Sequence, residues 1–199
     1  MVLEKDENAK LEILREAQKL FQQFGLKKTT MDEIAGSCGK AKSTLYHYFK
    51  SKEDVFDAVI EMEMTNLRKV VKEKVESQKT VADKLKTYIL EFQRESVKKA
   101  NLYRIVQYKT QHEKRSKILF HRMMEFEKAY ILRIMQDAYD AGECPDYCTA
   151  DLPAVAELLL AGFYGTIQYL IERDDQTDQQ KLEKIAEIFT QKLFGKSAG

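Results

Sequence analysis

The chain has 199 residues, with 33 basic and 32 acidic side chains, a net charge of +1 and 44% hydrophobic residues. This apolar fraction excludes a disordered polymer. Two prolines and eight glycines are too few for a protein built of many short strands. We therefore predict an all-α fold of about nine helices.

The first two predicted helices have clear start and stop signals. Apolar residues from Ile13 to Phe24 recur at helical spacing, and Gly25 follows as a left-handed C-cap. Thr30 and Glu33 form a capping box, so a second helix should begin after Thr30 and end near Ser37. Gly39 then supplies a tight turn between helices.

A third helix is predicted over residues 41–49, and its two faces differ in character. On a helical wheel Lys42, Ser43, Tyr46, His47 and Lys50 share one side, while Ala41, Leu45 and Tyr48 lie opposite. The first face offers cations, hydroxyls and an imidazole, the groups that contact phosphates and base edges. An ordinary amphipathic helix would show the same pattern, but the capped helix and glycine turn before it favour DNA binding.

The charge distribution supports the same interpretation. Residues 10–52 contain nine basic and four acidic side chains, and residues 40–52 contain no acid. Neutralising phosphates with such a stretch releases counterions and favours binding to nucleic acid. A fourth helix should begin at the Ser51 and Asp54 cap and continue to about Glu76.

This N-terminal segment resembles the DNA-binding domain of the TetR family of bacterial transcriptional regulators. The matching residues are Gly25, Thr29, Thr30, Ile34, Ala35, Gly39, Thr44, Leu45, Tyr46, Phe49, Lys50, Lys52 and Glu53. The resemblance implies phosphate contacts from Thr30, Tyr46 and Lys50, and base or backbone contacts from Lys42, Thr44 and His47. It also implies a helix-turn-helix domain at residues 1–50 and a larger helical domain at 51–199 that binds a small-molecule effector and dimerises.

The rest of the chain should be helical throughout. The predicted segments are Thr80 to about Lys99, Asn101 to His112, Glu113 to Ala141, Asp151 to Asp174 and Thr177 to Phe194. The last two carry dense apolar faces, and Gly162 and Gly165 would allow close helix packing. These helices could complete the subunit's own core. The resemblance favours a homodimer formed through them.

Aromatic and sulfur-containing side chains are frequent in the middle of the chain and could line a ligand pocket. Each one alone is more typical of a core. The candidate ligand-binding residues are Tyr88, Phe92, Tyr103, His121, Met124 and Phe163.

Other function classes have little support in the sequence. The three histidines form no metal-binding pair at helical spacing, so we predict no metal site, no cofactor and no enzymatic activity. An odd number of cysteines (Cys38, Cys144 and Cys148) and a charged N-terminus without an apolar stretch favour a cytoplasmic protein. The most apolar segment, residues 152–171, is interrupted by polar side chains, so it predicts a buried helix and no membrane partner.

The sequence thus predicts a homodimeric, ligand-responsive regulator that binds double-stranded DNA, most simply a repressor at a palindromic operator. The alternative is a helical ligand-binding or scaffolding dimer whose helix-turn-helix contacts proteins.

Overall fold

The computed structural model of the protein describes residues 2–98, 114–143, 148–172 and 179–194. Within these ranges the chain forms eight helices and no strand, which confirms the all-α prediction. The helices are α1 (Val2–Lys28), α2 (Met31–Ser37), α3 (Lys42–Tyr48), α4 (Lys52–Glu76), α5 (Val81–Val97), α6 (Lys114–Asp140), α7 (Leu152–Glu172) and α8 (Gln179–Phe194). The helix predicted over Asn101 to His112 lies outside the described residues.

The chain divides into two compact units. The N-terminal unit extends through Asn66, and the C-terminal unit contains Leu67–Lys98 and the described residues from Lys114 onward. Helix α4 therefore contributes its first part to one unit and its last part to the other. The functional division at residue 50 stays a prediction.

The N-terminal unit has one hydrophobic core, to which all of its helices contribute. Helix α1 supplies Ile13, Ala17 and Phe21, all fully buried, and α3 supplies Leu45. The first turns of α4 add Val55 and Val59 to this core. Burying such side chains provides most of the favourable free energy of folding.

Helix starts follow the local signals in the sequence. The Thr30 hydroxyl accepts from the Glu33 backbone N–H, and the Glu33 carboxylate accepts from the Thr30 N–H at 2.8 Å. Ser51 and Thr80 accept in the same way from the backbone N–H groups of Asp54 and Asp83. These contacts satisfy N–H groups that have no partner within the helix.

In the C-terminal unit, α5 packs on α6 and α8, and α6 also packs on α7. Gly162 on α7 allows the close approach predicted for it. A Cβ atom there would lie 2.9 Å from Cζ of Phe189 on α8, closer than real Cβ contacts come. No helix in the described part of the chain is long and apolar enough to cross a membrane.

Candidate DNA interface and effector cavity

The turn before α3 sets the position of the predicted recognition helix. Gly39 has a φ of 61°, a left-handed conformation that favours glycine. Ala41 then takes an extended backbone and is the N-cap, so α3 begins at Lys42. The prediction that Ala41 lies in the helix, on the inner face with Leu45, is wrong, because Ala41 precedes the helix and is exposed.

Helix α3 separates an exposed polar face from a buried apolar one. Leu45 is fully buried and Phe49 nearly so, which anchors the helix to the core of the N-terminal unit. Thr44 is half-buried. The other predicted DNA-contacting side chains on or next to α3 are exposed: Lys42, Tyr46, His47 and Lys50. Ser43, which the helical wheel places with them, is exposed as well.

Lys42 forms an ion pair within the N-terminal unit. Its Nζ lies 2.8 Å from Oδ1 and 3.0 Å from Oδ2 of Asp32 on α2. The hydrogen bond to Asp32 raises the pKa of the Lys42 ammonium. Both side chains are largely exposed, and exposed ion pairs contribute little to stability. A phosphate could therefore replace the Asp32 carboxylate at small cost.

The Thr30 hydroxyl already takes part in the capping box of α2. It donates to Oε2 of Glu33 at 2.9 Å and accepts from the Glu33 N–H at 3.2 Å. A hydroxyl has a single proton to donate. Thr30 is exposed, but a hydrogen bond from its side chain to a phosphate would have to replace the bond to Glu33.

Tyr48 connects the end of α3 to α1. Its hydroxyl donates to Oδ1 of Asp6 at 2.6 Å, and this hydrogen bond raises the pKa of the phenol. The His47 ring lies edge-on to the Tyr48 ring, with centroids 5.1 Å apart. Tyr48 thus links the end of α3 to α1, and its hydroxyl proton is already used in the bond to Asp6.

A second support is Lys52, whose role the sequence analysis missed. Its Nζ donates to the carbonyl oxygens of Leu26, Lys27 and Thr29 at 2.9, 3.3 and 3.1 Å. These carbonyls follow Gly25, whose φ of 77° and ψ of 165° break α1. The start of α4 is thereby fixed to the residues between Gly25 and α2.

The C-terminal unit contains a partly open cavity of about 200 Å³ between α4, α5 and α6. Its lining is mostly apolar and aromatic, with a few polar groups, which is typical of small-molecule sites. The lining residues are Arg68, Val71, Lys72, Tyr88, Phe92, Phe126, Glu127 and Tyr130.

A buried polar network forms one wall of this cavity. Glu127 is 2% exposed; its Oε1 accepts from Nε of Arg68 and its Oε2 from the Tyr88 hydroxyl, each at 2.8 Å. Burial raises the pKa of the Glu127 carboxyl, against the opposing effect of Arg68. Burial also raises the pKa of Tyr88, as does the negative charge of Glu127. Both carboxylate oxygens therefore have partners.

The predicted ligand-binding residues fall into different surroundings. Tyr88 and Phe92 line the cavity, with ring centroids 5.6 Å apart. Phe163 lies against both rings, at 6.4 Å from Tyr88 and 6.2 Å from Phe92. His121 is exposed and Met124 half-buried, and neither lines the cavity. Tyr103 lies outside the described residues.

Arg68 and Glu127 were missing from the sequence prediction. They lie 59 residues apart, and neither belongs to a local motif that indicates a ligand. Across the ranges that the structure describes, no group of three His, Cys, Asp or Glu side chains could hold a metal ion.

Comparison with known proteins places the N-terminal segment in a known group. Residues 13–59 match the profile of bacterial regulatory proteins of the tetR family. The chain is 44% identical over 64 residues to the uncharacterised HTH-type transcriptional regulator YhgD of Bacillus subtilis. That alignment covers 32% of this chain and only 31% of YhgD.

Two other proteins are similar over most of the chain. The HTH-type transcriptional regulator QacR of Staphylococcus aureus is 25% identical, over 92% of this chain and 96% of QacR. The transcriptional regulator FadR of Bacillus subtilis, solved in complex with stearoyl-CoA, superposes with a TM-score of 0.71 at 18% identity. That superposition covers 94% of this chain and 99% of FadR and shows a shared fold.

Proposed function

We propose that the chain, whose residues 13–59 match the tetR family of bacterial regulatory proteins, is a ligand-responsive, DNA-binding transcriptional regulator of that family. The observation that carries the proposal is the exposed polar face of α3 above fully buried Leu45. A helix anchored in this way can present its outer face to the major groove.

On DNA, the contacts would divide by type. Lys50 and Tyr46 would bind phosphates, with Thr30 joining them if its hydroxyl leaves Glu33. Lys42 would exchange Asp32 for the DNA, and Thr44 and His47 would complete the base or backbone contacts. Phosphate contacts position the protein, and base contacts specify the sequence.

We propose that the protein acts as a homodimer through α7 and α8. Four exposed residues of α7 at helical spacing are apolar or small: Ala154, Leu158, Ala161 and Gly165. Ile188 on α8 is also exposed, by 50%. An isologous dimer would present two copies of α3 to a palindromic operator, with half-sites about 34–36 Å apart or slightly more.

The cavity of the C-terminal unit would receive the effector. Effector binding would change DNA affinity through α4, which contributes residues to both units. Such coupling requires that the effector bind two arrangements of the protein with different affinity. The simplest outcome is a repressor that releases its operator when the effector binds.

The decisive experiment is selection of duplexes from a random pool by the purified protein at two salt concentrations. We expect a palindrome to be enriched, with affinity that falls steeply as salt increases. Lys42→Ala should weaken binding and make the salt dependence shallower by about one unit for each phosphate that a subunit no longer binds. Lys79→Ala, at an exposed lysine of the C-terminal unit, is the matched control.

The scaffolding alternative predicts a different result. Folded, dimeric protein that enriches no duplex, with and without cell extract, would contradict the regulator proposal. Equal effects of Lys42→Ala and Lys79→Ala would remove Lys42 from the interface.

A further inference from the structure

The size of the cavity limits what can enter it. At about 200 Å³, it is slightly larger than the cavity of roughly 150 Å³ that accommodates benzene in an engineered protein. A single aromatic ring with one small substituent is therefore of matching size. A long acyl chain, such as the stearoyl group bound to FadR, is far larger than this space.

The shape of the walls favours a flat ligand. Tyr88, Phe92 and Tyr130 contribute rings to the lining, with the Tyr88 and Tyr130 centroids 5.9 Å apart. Phe126 provides a further ring at the lining, and Arg68 lies over it at 4.5 Å from the centroid. Rings in tilted and edge-on arrangements contribute favourable contacts to another aromatic ring.

The charges at the cavity favour an anion. Arg68 and Lys72 lie one turn apart on α4, and among the described residues of the lining Glu127 is the only carboxylate. Arg68 and Tyr88 already bond its two oxygens, so Glu127 has little left to offer a cation. The lining therefore has one positive charge in excess.

The two cations keep donors that this network does not use. Arg68 contacts Glu127 through Nε, and its two terminal amino groups carry four further N–H donors. Lys72 pairs with Glu76 at 3.5 Å, with both side chains more than half exposed. Such an exposed pair is easily exchanged for a ligand carboxylate.

Tyr130 adds a neutral hydroxyl. Burial raises its pKa to about 12, so the phenol stays protonated at ordinary pH and can donate a hydrogen bond. The Tyr88 hydroxyl, by contrast, gives its proton to Glu127.

Resting on the proposed function, we propose that the effector is a compact aromatic carboxylate. Its ring would lie between the aromatic walls, and its carboxylate would bind the Arg68 terminal amines and Lys72. A cationic ring would meet two like charges and a carboxylate that already has partners. A neutral ring would leave the cations without a new partner.

Calorimetry on the full chain can separate these classes with three probes of similar size, one from each class: benzoate, benzamide and benzylammonium. We expect benzoate to bind on the order of tenfold or more tightly than the other two, because hydrogen bonds between charged groups are stronger than neutral ones. Equal or tighter binding of benzamide or benzylammonium, or no binding of benzoate, would overturn the proposal.

Variants on α4 test the assigned cations. Lys72→Gln should weaken benzoate binding about tenfold and leave benzamide binding unchanged. Lys69→Gln, at an exposed lysine of the same helix, should change neither. Arg68→Gln should weaken benzoate binding further; it also removes a partner of buried Glu127, so its thermal unfolding is measured in parallel. Identical benzoate affinity in wild type and Lys72→Gln would contradict the assignment of Lys72.

Failure of this inference and failure of the proposed function give different results. If a palindrome is enriched but benzoate does not bind, only the ligand class is wrong. If benzoate binds as expected but no duplex is enriched, the ligand class stands and the regulator proposal fails. If a palindrome is enriched and benzoate binds without changing operator affinity, an aromatic carboxylate is not the effector and this inference fails.

Discussion

The two units expose their candidate functional side chains to different degrees. In the N-terminal unit, Lys42, Tyr46 and His47 on α3 and Lys50 just after it are exposed to solvent, while Leu45 on the opposite face of α3 is fully buried. In the C-terminal unit, Tyr88 and Glu127 are buried and bonded to each other. The first arrangement suits a large, flat, charged partner, and the second suits a small molecule surrounded by protein.

This difference determines which side-chain substitutions each unit tolerates. An exposed polar face depends on its buried anchors for position but can exchange its own side chains freely. A buried polar network cannot, because removing one member leaves another without a partner.

The largest effect should come from the anchor of α3. Leu45→Ala removes a fully buried side chain and should lower the free energy of unfolding by roughly 2–5 kcal/mol. DNA binding should be abolished with it. Ser43→Ala, at an exposed position of the same helix, should change stability little. Chemical denaturation measures the free energy of unfolding of both variants. Similar decreases in the two would show that the buried anchor contributes no more to stability than the exposed face.

The buried network should be the next most sensitive. Tyr88→Phe removes the hydroxyl that bonds Glu127 and should lower the free energy of unfolding by about 1–3 kcal/mol. Tyr139→Phe, on half-buried Tyr139 of α6, is the matched control and should be nearly neutral. A neutral Tyr88→Phe variant would show that the network does not behave as a unit.

The pH dependence of stability should reveal the raised pKa of the Glu127 carboxyl. Its folded pKa is raised above the ordinary value of 4.5, so the folded state holds this proton more tightly. The stabilisation is complete below about pH 4.5 and is lost as pH rises through the raised pKa. Measured by denaturation across pH, wild type should therefore lose stability relative to Glu127→Gln as pH increases. A difference that does not vary with pH, or varies in the opposite sense, would contradict the raised pKa.

The smallest effect should be found at the exposed ion pair. Asp32→Asn frees Lys42 and removes a negative charge beside the polar face, so DNA affinity should increase, by about fivefold at most. Asp137→Asn, an equal charge change at an exposed site in the C-terminal unit, controls for net charge. Equal increases in the two variants would mean that long-range charge, and not the pair with Lys42, sets the affinity.

Sequence reasoning succeeded where the determining contacts are local. The caps at Thr30, Ser51 and Thr80 each join residues three apart, so the motif contains the whole interaction. The inward position of Leu45 likewise follows from helical periodicity alone. Ala41 was placed wrongly because the turn extends one residue further than the periodicity indicates.

The cavity could not be predicted in the same way. Glu127 bonds Arg68 and Tyr88 across 59 and 39 residues, and Lys52 reaches carbonyls 23 to 26 residues away. Contacts of this kind depend on how helices pack, which periodicity does not specify. Tyr88 and Phe92 were identified because aromatic side chains line many pockets. The charged residues of the lining, Arg68, Lys72 and Glu127, have sequence surroundings typical of any solvent-exposed helix face.

The contacts of Lys52 have a practical consequence for dividing the protein into fragments. The ammonium that fixes the segment after Gly25, and the core residues Val55 and Val59, all come from α4. Gln18 on α1 also donates to fully buried Glu63 at 2.9 Å. A recombinant DNA-binding fragment that ends soon after α3 would lack Lys52, Val55, Val59 and Glu63. The shortest fragment worth expressing therefore extends to about Asn66, the end of the compact N-terminal unit.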